Sequence, residues 1–142
     1  MKLDQLRAVL YAGDLDRAEA IAFDLLIESD HGFPVGQDND QKHFAEQILG
    51  QVALQRGDKS EAVRYLLSSV DNGDAPVLCS FGPKMRLANA LYEAGETAAV
   101  LAYLIKIREF WESHDESLDR WIAAIRTGND PRDRDWTVQM IY

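Results

Sequence analysis

The sequence has little of several residue types on which common functions depend. It contains one cysteine, Cys79, which excludes an internal disulfide and predicts a reducing, cytoplasmic location. Its 15 lysines and arginines are outnumbered by 24 acidic residues, and no two of these basic residues are adjacent. A net charge of −9 without a basic patch argues against nucleic acid as a partner, because such a surface repels phosphate groups.

Long apolar runs are also missing. No stretch approaches the roughly 20 consecutive apolar residues that span a bilayer, and charged residues interrupt the N-terminal region from Asp4 onward. We therefore expect neither a signal peptide nor a membrane partner. The 142 residues, 46% hydrophobic and 27% charged, are typical of one soluble domain that can bury a core.

A helical pattern of apolar residues is present along most of the chain. Between Leu118 and Ile125, for example, apolar residues lie at i, i+3, i+4 and i+7, the spacing of one helix face. Such patterns predict helix pairs over residues 2–28, 41–70 and 82–113 and a capping helix over 117–127. No strand is predicted. Residues 29–40 read as a loop, and 128–142 as a tail that is either disordered or packed at its end against the body.

One type of turn occurs three times. Gly13, Gly57 and Gly95 are each followed by an acidic residue, and they lie 44 and 38 residues apart. The glycine is expected to end one helix and the acidic residue to cap the next. Ser117 and Gly128 are expected to begin and end the last helix in a similar way. Helix pairs repeated every roughly 35–45 residues indicate an α-solenoid.

Residues 43–70 carry these features in their clearest form and resemble the tetratricopeptide-repeat family. Leu49 and Gly50 match the Leu-Gly pair of the family's first helix, Gly57 its turn glycine, and Ala62 an alanine of its second helix. Small residues at such positions let two helix backbones approach closely.

The resemblance covers about 110 residues, and its motif specifies architecture more than activity. Residues 80–104 also resemble a stretch of bacterial members of this class. The implied fold is all-α: a short right-handed α-solenoid of about three antiparallel helix pairs with a C-terminal capping helix, forming one domain over 1–127.

In the resembled family, the first helix of each pair lines a concave groove that accepts peptides or partner helices. The resemblance thus implies a non-enzymatic protein that mediates protein–protein interaction, with a protein or peptide partner and no cofactor or metal. By their distance from the turn glycines, the groove residues are Leu3, Arg7, Leu10, Tyr11, Phe44, Gln47, Gln51, Leu54, Gln55, Met85, Asn89, Tyr92 and Glu93. Alternatives are a homodimer through this surface and a small acidic chaperone or immunity-type protein for one basic client.

A ligand-sensing or catalytic protein using the loops at 29–43 and 76–84 is a further alternative. Cys79 and Ser80 lack a recognisable nucleophile context near any histidine, so Cys79 is expected to pack as a small apolar residue. The acidic residues and histidines between Asp30 and His43 do not match a metal-site or calcium-loop spacing.

Two further features have structural interpretations. Gly82-Pro83-Lys84 lacks the paired glycines of a phosphate-binding loop, and Pro83 instead suits the first position of a helix. Trp121 is expected in the core and Trp111 against the terminal helix, whereas Trp136 in the tail is the candidate for contact with a partner.

Overall fold

The computed structural model describes residues 12–30, 37–70, 84–109, 111 and 116–141, and within these ranges the chain forms seven helices and no strand. The predicted all-α class is confirmed. In chain order the helices are α1 (Leu15–Asp30), α2 (Gln37–Gln55), α3 (Lys59–Ser68), α4 (Arg86–Glu93), α5 (Thr97–Arg108), α6 (Ser117–Arg126) and α7 (Arg134–Ile141).

Four turns contain a glycine in the left-handed backbone region. The φ angles are 83° at Gly13, 86° at Gly57, 89° at Gly95 and 79° at Gly128. A Cβ atom is crowded by the backbone in this region, so glycine adopts it at the least cost. The predicted use of these four glycines as turn residues is confirmed.

After three of these glycines the backbone forms the same hydrogen bond. The residue after the glycine donates its N–H to the carbonyl five residues before it, as in a Schellman motif. The donor and acceptor residues are Asp58 and Ala53 (2.9 Å), Glu96 and Leu91 (2.9 Å), and Asn129 and Ala124 (2.8 Å). The helices α2, α4 and α6 therefore end through one repeated backbone motif.

The acidic residue after the turn glycine caps the next helix in two cases. Asp14 and Asp58 each accept a hydrogen bond from the backbone N–H three residues later, at 3.2 and 3.1 Å. The side chain of Glu96 makes no capping hydrogen bond. The predicted caps are confirmed for the aspartates and not for the glutamate, whose longer side chain is less suited to this position.

Two predicted helix-start roles differ in the structure. Helix α6 begins at Ser117, but Ser117 is its buried first residue rather than its N-cap, a position that Glu116 holds with a φ of 65°. Pro83 lies outside the described residues, but α4 begins only at Arg86, so Pro83 is not its first residue. The backbone N–H of Lys84 donates to His43 of α2, and its carbonyl accepts from the Tyr103 hydroxyl of α5. These two bonds hold Lys84 in the segment that precedes α4.

The boundaries of the predicted 29–40 loop also change. Helix α1 continues to Asp30, and α2 begins at Gln37 rather than at position 41. Residues 37–40 are all polar, and acidic residues among them favour a helix N-terminus through the helix dipole. Because this turn carries no apolar residue, hydrophobic periodicity places the helix start too late.

The buried apolar side chains form two groups. The N-terminal core lies where α1 and α2 pack together and comprises Ala18, Ala22, Leu25, Ala45, Ile48, Leu49, Val52 and Tyr65. The C-terminal core extends from α2 to α7 and contains larger side chains, including Leu66, Leu87, Leu91, Leu104, Ile107 and three tryptophans. Among the described residues, the C-terminal core contains the larger side chains.

Gly50 allows a close approach between α2 and α4. A Cβ atom at this position would lie 2.3 Å from Cδ2 of Leu87 and 3.3 Å from Cβ of Tyr65. Leu87 is fully buried, so a side chain at position 50 would compete for the space that Leu87 fills. The small residue of the Leu-Gly pair therefore serves helix packing.

The predicted tail contains a helix, α7, that packs against the body. Trp136 on this helix is fully buried, so the prediction that Trp136 contacts a partner is wrong. Of the two alternatives for the tail, the structure has the packed one. No helix in the described part of the chain is long and apolar enough to cross a membrane.

Candidate functional site

The predicted groove residues lie on two helices in the structure. Phe44, Gln47, Gln51, Leu54 and Gln55 are on α2, and the third-pair residues are on α4 or, for Met85, immediately before it. The first-pair residues Leu3, Arg7, Leu10 and Tyr11 lie outside the described residues, and their placement stays a prediction.

Two of the predicted groove residues are inside the protein. Gln47 is 2% exposed and Met85 is fully buried, so neither side chain is available to a partner in this structure. The prediction that Gln47 and Met85 lie in an accessible groove is therefore wrong for these two side chains. Position in a repeat predicts which way a helix face points, but neighbouring helices decide whether the face is covered.

Gln47 belongs to a buried group of hydrogen-bonded side chains, here called the polar cluster: His43, Gln47, Ser69 and Tyr103. The Gln47 amide nitrogen lies 3.1 Å from Oγ of Ser69 and 3.1 Å from the hydroxyl of Tyr103. Ser69 follows α3 and Tyr103 lies on α5, so one amide of α2 joins three parts of the chain.

The donors of the polar cluster can be assigned by elimination. The Ser69 hydroxyl donates to the carbonyl of Leu66 at 2.7 Å, and the Tyr103 hydroxyl donates to the carbonyl of Lys84 at 2.8 Å. Both hydroxyl oxygens must therefore accept from the Gln47 amide nitrogen, which fixes the orientation of the amide. The Gln47 Oε1 atom is buried and has no hydrogen-bond partner within the described residues.

His43 connects two points of the chain that are distant in sequence. Its Nδ1 atom lies 3.0 Å from the carbonyl oxygen of Ser69, and its Nε2 atom lies 3.2 Å from the backbone nitrogen of Lys84. Nδ1 therefore donates and Nε2 accepts, which is the pattern of a neutral imidazole. The ring holds together the end of α3 and the segment that leads into α4.

The electrostatics of the polar cluster favour its neutral forms. Burial lowers the pKa of His43 from 6.5 to about 4, against the hydrogen bond to Ser69, which raises it. The nearby positive charges of Lys84 and Lys42 contribute to the lowered pKa. Burial also raises the pKa of the Tyr103 hydroxyl. Near neutral pH these groups are uncharged and hydrogen-bonded, an arrangement suited to joining helices.

The other groove residues of α2 reach the surface. Gln55 is exposed, while Phe44, Gln51 and Leu54 are half-buried. The ammonium group of Lys84 lies 5.7 Å from the centre of the Phe44 ring, within range of a cation–π contact. Within the described part of the chain, neither Gln51 nor Gln55 has a hydrogen bond from its side-chain amide.

The groove residues of α4 contact the C-terminal segment, defined here as residues 129–141. The Trp136 indole nitrogen donates to Oδ1 of Asn89 at 3.1 Å. The Tyr92 and Trp136 rings meet edge to face, with their centres 6.4 Å apart. The predicted groove surface on α4 is therefore occupied by the protein's own chain.

Arginine adds a second anchor to the C-terminal segment. Arg132 forms an ion pair with Glu93 at 3.1 Å, and its guanidinium lies 5.1 Å from the centre of the Tyr92 ring. Asn89 in turn donates to Glu93 at 3.2 Å. Neither Arg132 nor Asp133 is among the predicted site residues. Arg132 contacts Glu93 on α4, which lies 39 residues away in the sequence, and Asp133 contacts Trp121 on α6.

An aromatic cluster lies beneath this contact and comprises Tyr92, Trp111, Trp121 and Trp136. The ring centres of Trp121 and Trp136 are 5.3 Å apart in an edge-to-face arrangement, and those of Trp111 and Trp121 are 6.3 Å apart. The predicted core position of Trp121 is confirmed. The predicted contact of Trp111 with the capping helix, which is α6 in the structure, is also confirmed.

Several candidates from the catalytic and metal hypotheses fall outside the described residues: His31, Cys79, Ser80, Gly82, Pro83 and His114. Where residues are described, no three His, Cys, Asp or Glu side chains are grouped so that they could hold a metal ion. His43 is the histidine of the 29–43 region that lies within the described residues. Both of its ring nitrogens are hydrogen-bonded to backbone groups.

In a comparison with known proteins, no protein-family model, curated protein or solved structure matches the chain.

Proposed function

We propose that the protein is a non-enzymatic helical-repeat protein that binds a protein or peptide through the groove surface of α2 and α4. Its architecture in this proposal is a right-handed α-solenoid of antiparallel helix pairs, similar to the tetratricopeptide-repeat family. The observation that carries the proposal is the recurrence of one turn, in which Gly57, Gly95 and Gly128 share the same backbone angle and hydrogen bond. A recurring local unit is the basis of solenoid folds.

The pattern of helix packing supports the repeat architecture. The main contacts join helices that are adjacent in sequence or two apart, such as α2 with α3 and α2 with α4. Residues five positions after the turn glycines, Ala18, Ala62 and Val100, are all fully buried at equivalent places. In a solenoid each unit contacts only its neighbours, which produces contacts of this kind.

The chemistry of the α2 surface supports peptide binding. Gln51 and Gln55 lie one turn apart and present amides that both donate and accept hydrogen bonds. Leu54 lies between them and offers apolar contact. Because a peptide backbone contains both donors and acceptors, amides can bind it without requiring a particular side chain. The uncharged side chains of Gln51, Leu54 and Gln55 favour a partner recognised by backbone and apolar groups.

Site-specific photo-crosslinking in the native host tests this function. A photoreactive amino acid at Gln51 or Gln55 is expected to yield an adduct of one defined mass, because the partner lies on that surface. The matched control carries the same amino acid at Ser60, an exposed residue of α3. The adduct should be lost when the Leu54→Asp substitution is added. The chain without that substitution should form the same adduct when it is mixed with the purified partner. Identical adducts from Gln51 and Ser60 would contradict the proposed surface.

A further inference from the structure

The C-terminal segment (residues 129–141) is attached to the body through a few side chains. The main helix–helix packing involves α1 to α6 and not α7. Trp136 of α7 is fully buried, whereas Val138 is 40% exposed. Pro131 is also buried and Met140 packs against the C-terminal core. Attachment by a buried aromatic residue with flanking apolar and polar contacts resembles the way a helical peptide binds a protein surface.

The α4 residues in this contact match the C-terminal segment group by group. Asn89 accepts from the Trp136 indole, and Glu93 pairs with the Arg132 guanidinium. Tyr92 lies between them and contacts both the indole and the guanidinium. A hydrogen-bond acceptor, an aromatic ring and a carboxylate are complementary to a tryptophan and an arginine four residues apart.

Asp133 sets the conformation of the segment where it meets the body. Its Oδ1 atom accepts from the backbone N–H of Trp136 and from the indole nitrogen of Trp121, each at 3.0 Å. The first bond caps α7, and the second connects that cap to α6. The spacing of Arg132, Asp133 and Trp136 is thereby fixed in the form that α4 contacts.

The contacted residues hold the same repeat positions as the open surface of α2. A shift of 38 residues, the distance from Gly57 to Gly95, relates Asn89 to Gln51 and Glu93 to Gln55. Asn89 and Glu93 are engaged by the C-terminal segment, while Gln51 and Gln55 are not hydrogen-bonded within the described residues. On one part of the predicted groove surface the side chains are therefore engaged by the C-terminal segment, and on the equivalent part of α2 the side-chain amides make no hydrogen bond within the described residues.

We propose that the α4 surface of Asn89, Tyr92 and Glu93 is a recognition site for segments in which an arginine directly precedes an aspartate-capped helix and a tryptophan, four residues after the arginine, lies in the first turn of that helix. The protein's own C-terminal segment occupies this site, and a partner with the same pair of residues displaces it. This inference rests on the proposed function in that it assigns a partner class to part of the groove surface.

Binding of a synthetic peptide tests the inference on the full-length chain. A labelled peptide of residues 129–141 is titrated by fluorescence anisotropy into the wild-type chain and into an Arg132→Ala/Trp136→Ala chain, whose site is vacated. The peptide should bind the vacated chain at least about tenfold more tightly, because it no longer competes with an attached copy. A control peptide with alanine in place of the tryptophan should not bind. Addition of Asn89→Ala and Glu93→Lys to the vacated chain should abolish binding.

Two results would overturn the inference. One is the absence of peptide binding to a vacated chain that circular dichroism shows to be folded, and the other is equal binding to both chains. If the Arg132→Ala/Trp136→Ala chain fails to fold, the same titration is made with an Arg132→Glu chain. This substitution removes the ion pair with Glu93 and so weakens the attachment of the segment, while Trp136 stays in place. Equal peptide binding to that variant and to the wild type would also overturn the inference. If the photo-crosslinking at Gln51 yields the expected adduct but the peptide does not bind the vacated chain, this inference is refuted and the proposed function is retained.

Discussion

The polar cluster (His43, Gln47, Ser69 and Tyr103) and the aromatic cluster (Tyr92, Trp111, Trp121 and Trp136) both join helices that are distant in sequence. In the polar cluster, each connection is a hydrogen bond between a specific donor and a specific acceptor. In the aromatic cluster, the rings meet at centre distances of 5.3 to 6.4 Å, and the connection is mainly contact area.

This difference has a consequence for what each cluster contributes. A buried hydrogen bond is directional, so a shift of one helix relative to another leaves a donor or an acceptor without its partner. Aromatic contacts tolerate small shifts but remove much more apolar area from water. We infer that the polar cluster fixes the relative positions of α2, α4 and α5, while the aromatic cluster supplies most of the stability around α6 and α7.

The largest expected effect comes from the aromatic cluster. Trp121→Ala should lower the free energy of unfolding by about 3–5 kcal/mol, because it leaves a cavity in the C-terminal core and removes the hydrogen bond to Asp133. Urea denaturation followed by circular dichroism measures the loss. Phe23→Ala is the control, since Phe23 is 41% exposed and should lose less than about 1 kcal/mol. Similar losses for both variants would contradict the assignment of Trp121 to the core.

Acid should weaken the polar cluster next. The unfolded chain binds a proton on His43 below pH 6.5, whereas the folded chain does so only near pH 4. The stabilisation from neutral His43 is therefore complete above pH 6.5 and is lost as the pH falls to about 4, by a total of about 3 kcal/mol. Urea midpoints measured between pH 7.5 and 4.5 test this. A His43→Gln chain should depend less on pH in this range, and an unchanged slope would refute the role of His43.

Removal of one hydroxyl from the polar cluster should have a smaller effect. Tyr103→Phe should cost about 1–3 kcal/mol, because the Lys84 carbonyl and the Gln47 amide both lose a partner inside the protein. Tyr92→Phe removes the same hydroxyl group from the aromatic cluster, whose contacts use the ring, and should change stability by less than about 0.5 kcal/mol. The two variants are compared by urea denaturation. Equal losses would show that the hydroxyl of Tyr103 is not what joins α2 to α5.

The smallest expected effect concerns the two helix caps. Asp58→Ala should cost about 1 kcal/mol, because Asp58 accepts a hydrogen bond from the Glu61 N–H at the start of α3. Glu96→Ala should cost less than about 0.5 kcal/mol, since Glu96 makes no side-chain capping bond to α5. Thermal unfolding of the two variants under matched conditions separates them. A greater loss for Glu96→Ala would contradict the observed difference between the caps.

Local features of the fold were accessible from the sequence, whereas contacts between distant segments were not. Helix positions, the turn glycines and the aspartate caps follow from interactions within about five residues, which a sequence pattern records. Lys84 shows where such patterns fail, because side chains of α2 and α5 hydrogen-bond its backbone and α4 begins only at Arg86. The buried state of Gln47 and the docking of Trp136 on α4 likewise depend on residues 22 to 56 positions away.

The amino-acid sequence by itself determined the all-helical class, the recurring glycine turns and the core position of Trp121, because apolar periodicity and turn chemistry act over short distances. The tertiary structure alone decided that His43 is neutral and bonded at both nitrogens, and that the C-terminal segment contacts Asn89, Tyr92 and Glu93. Burial and hydrogen-bond partners arise only when distant helices meet. The same residue type is therefore half-buried without a side-chain hydrogen bond in the described residues at Gln51 and a buried connector at Gln47.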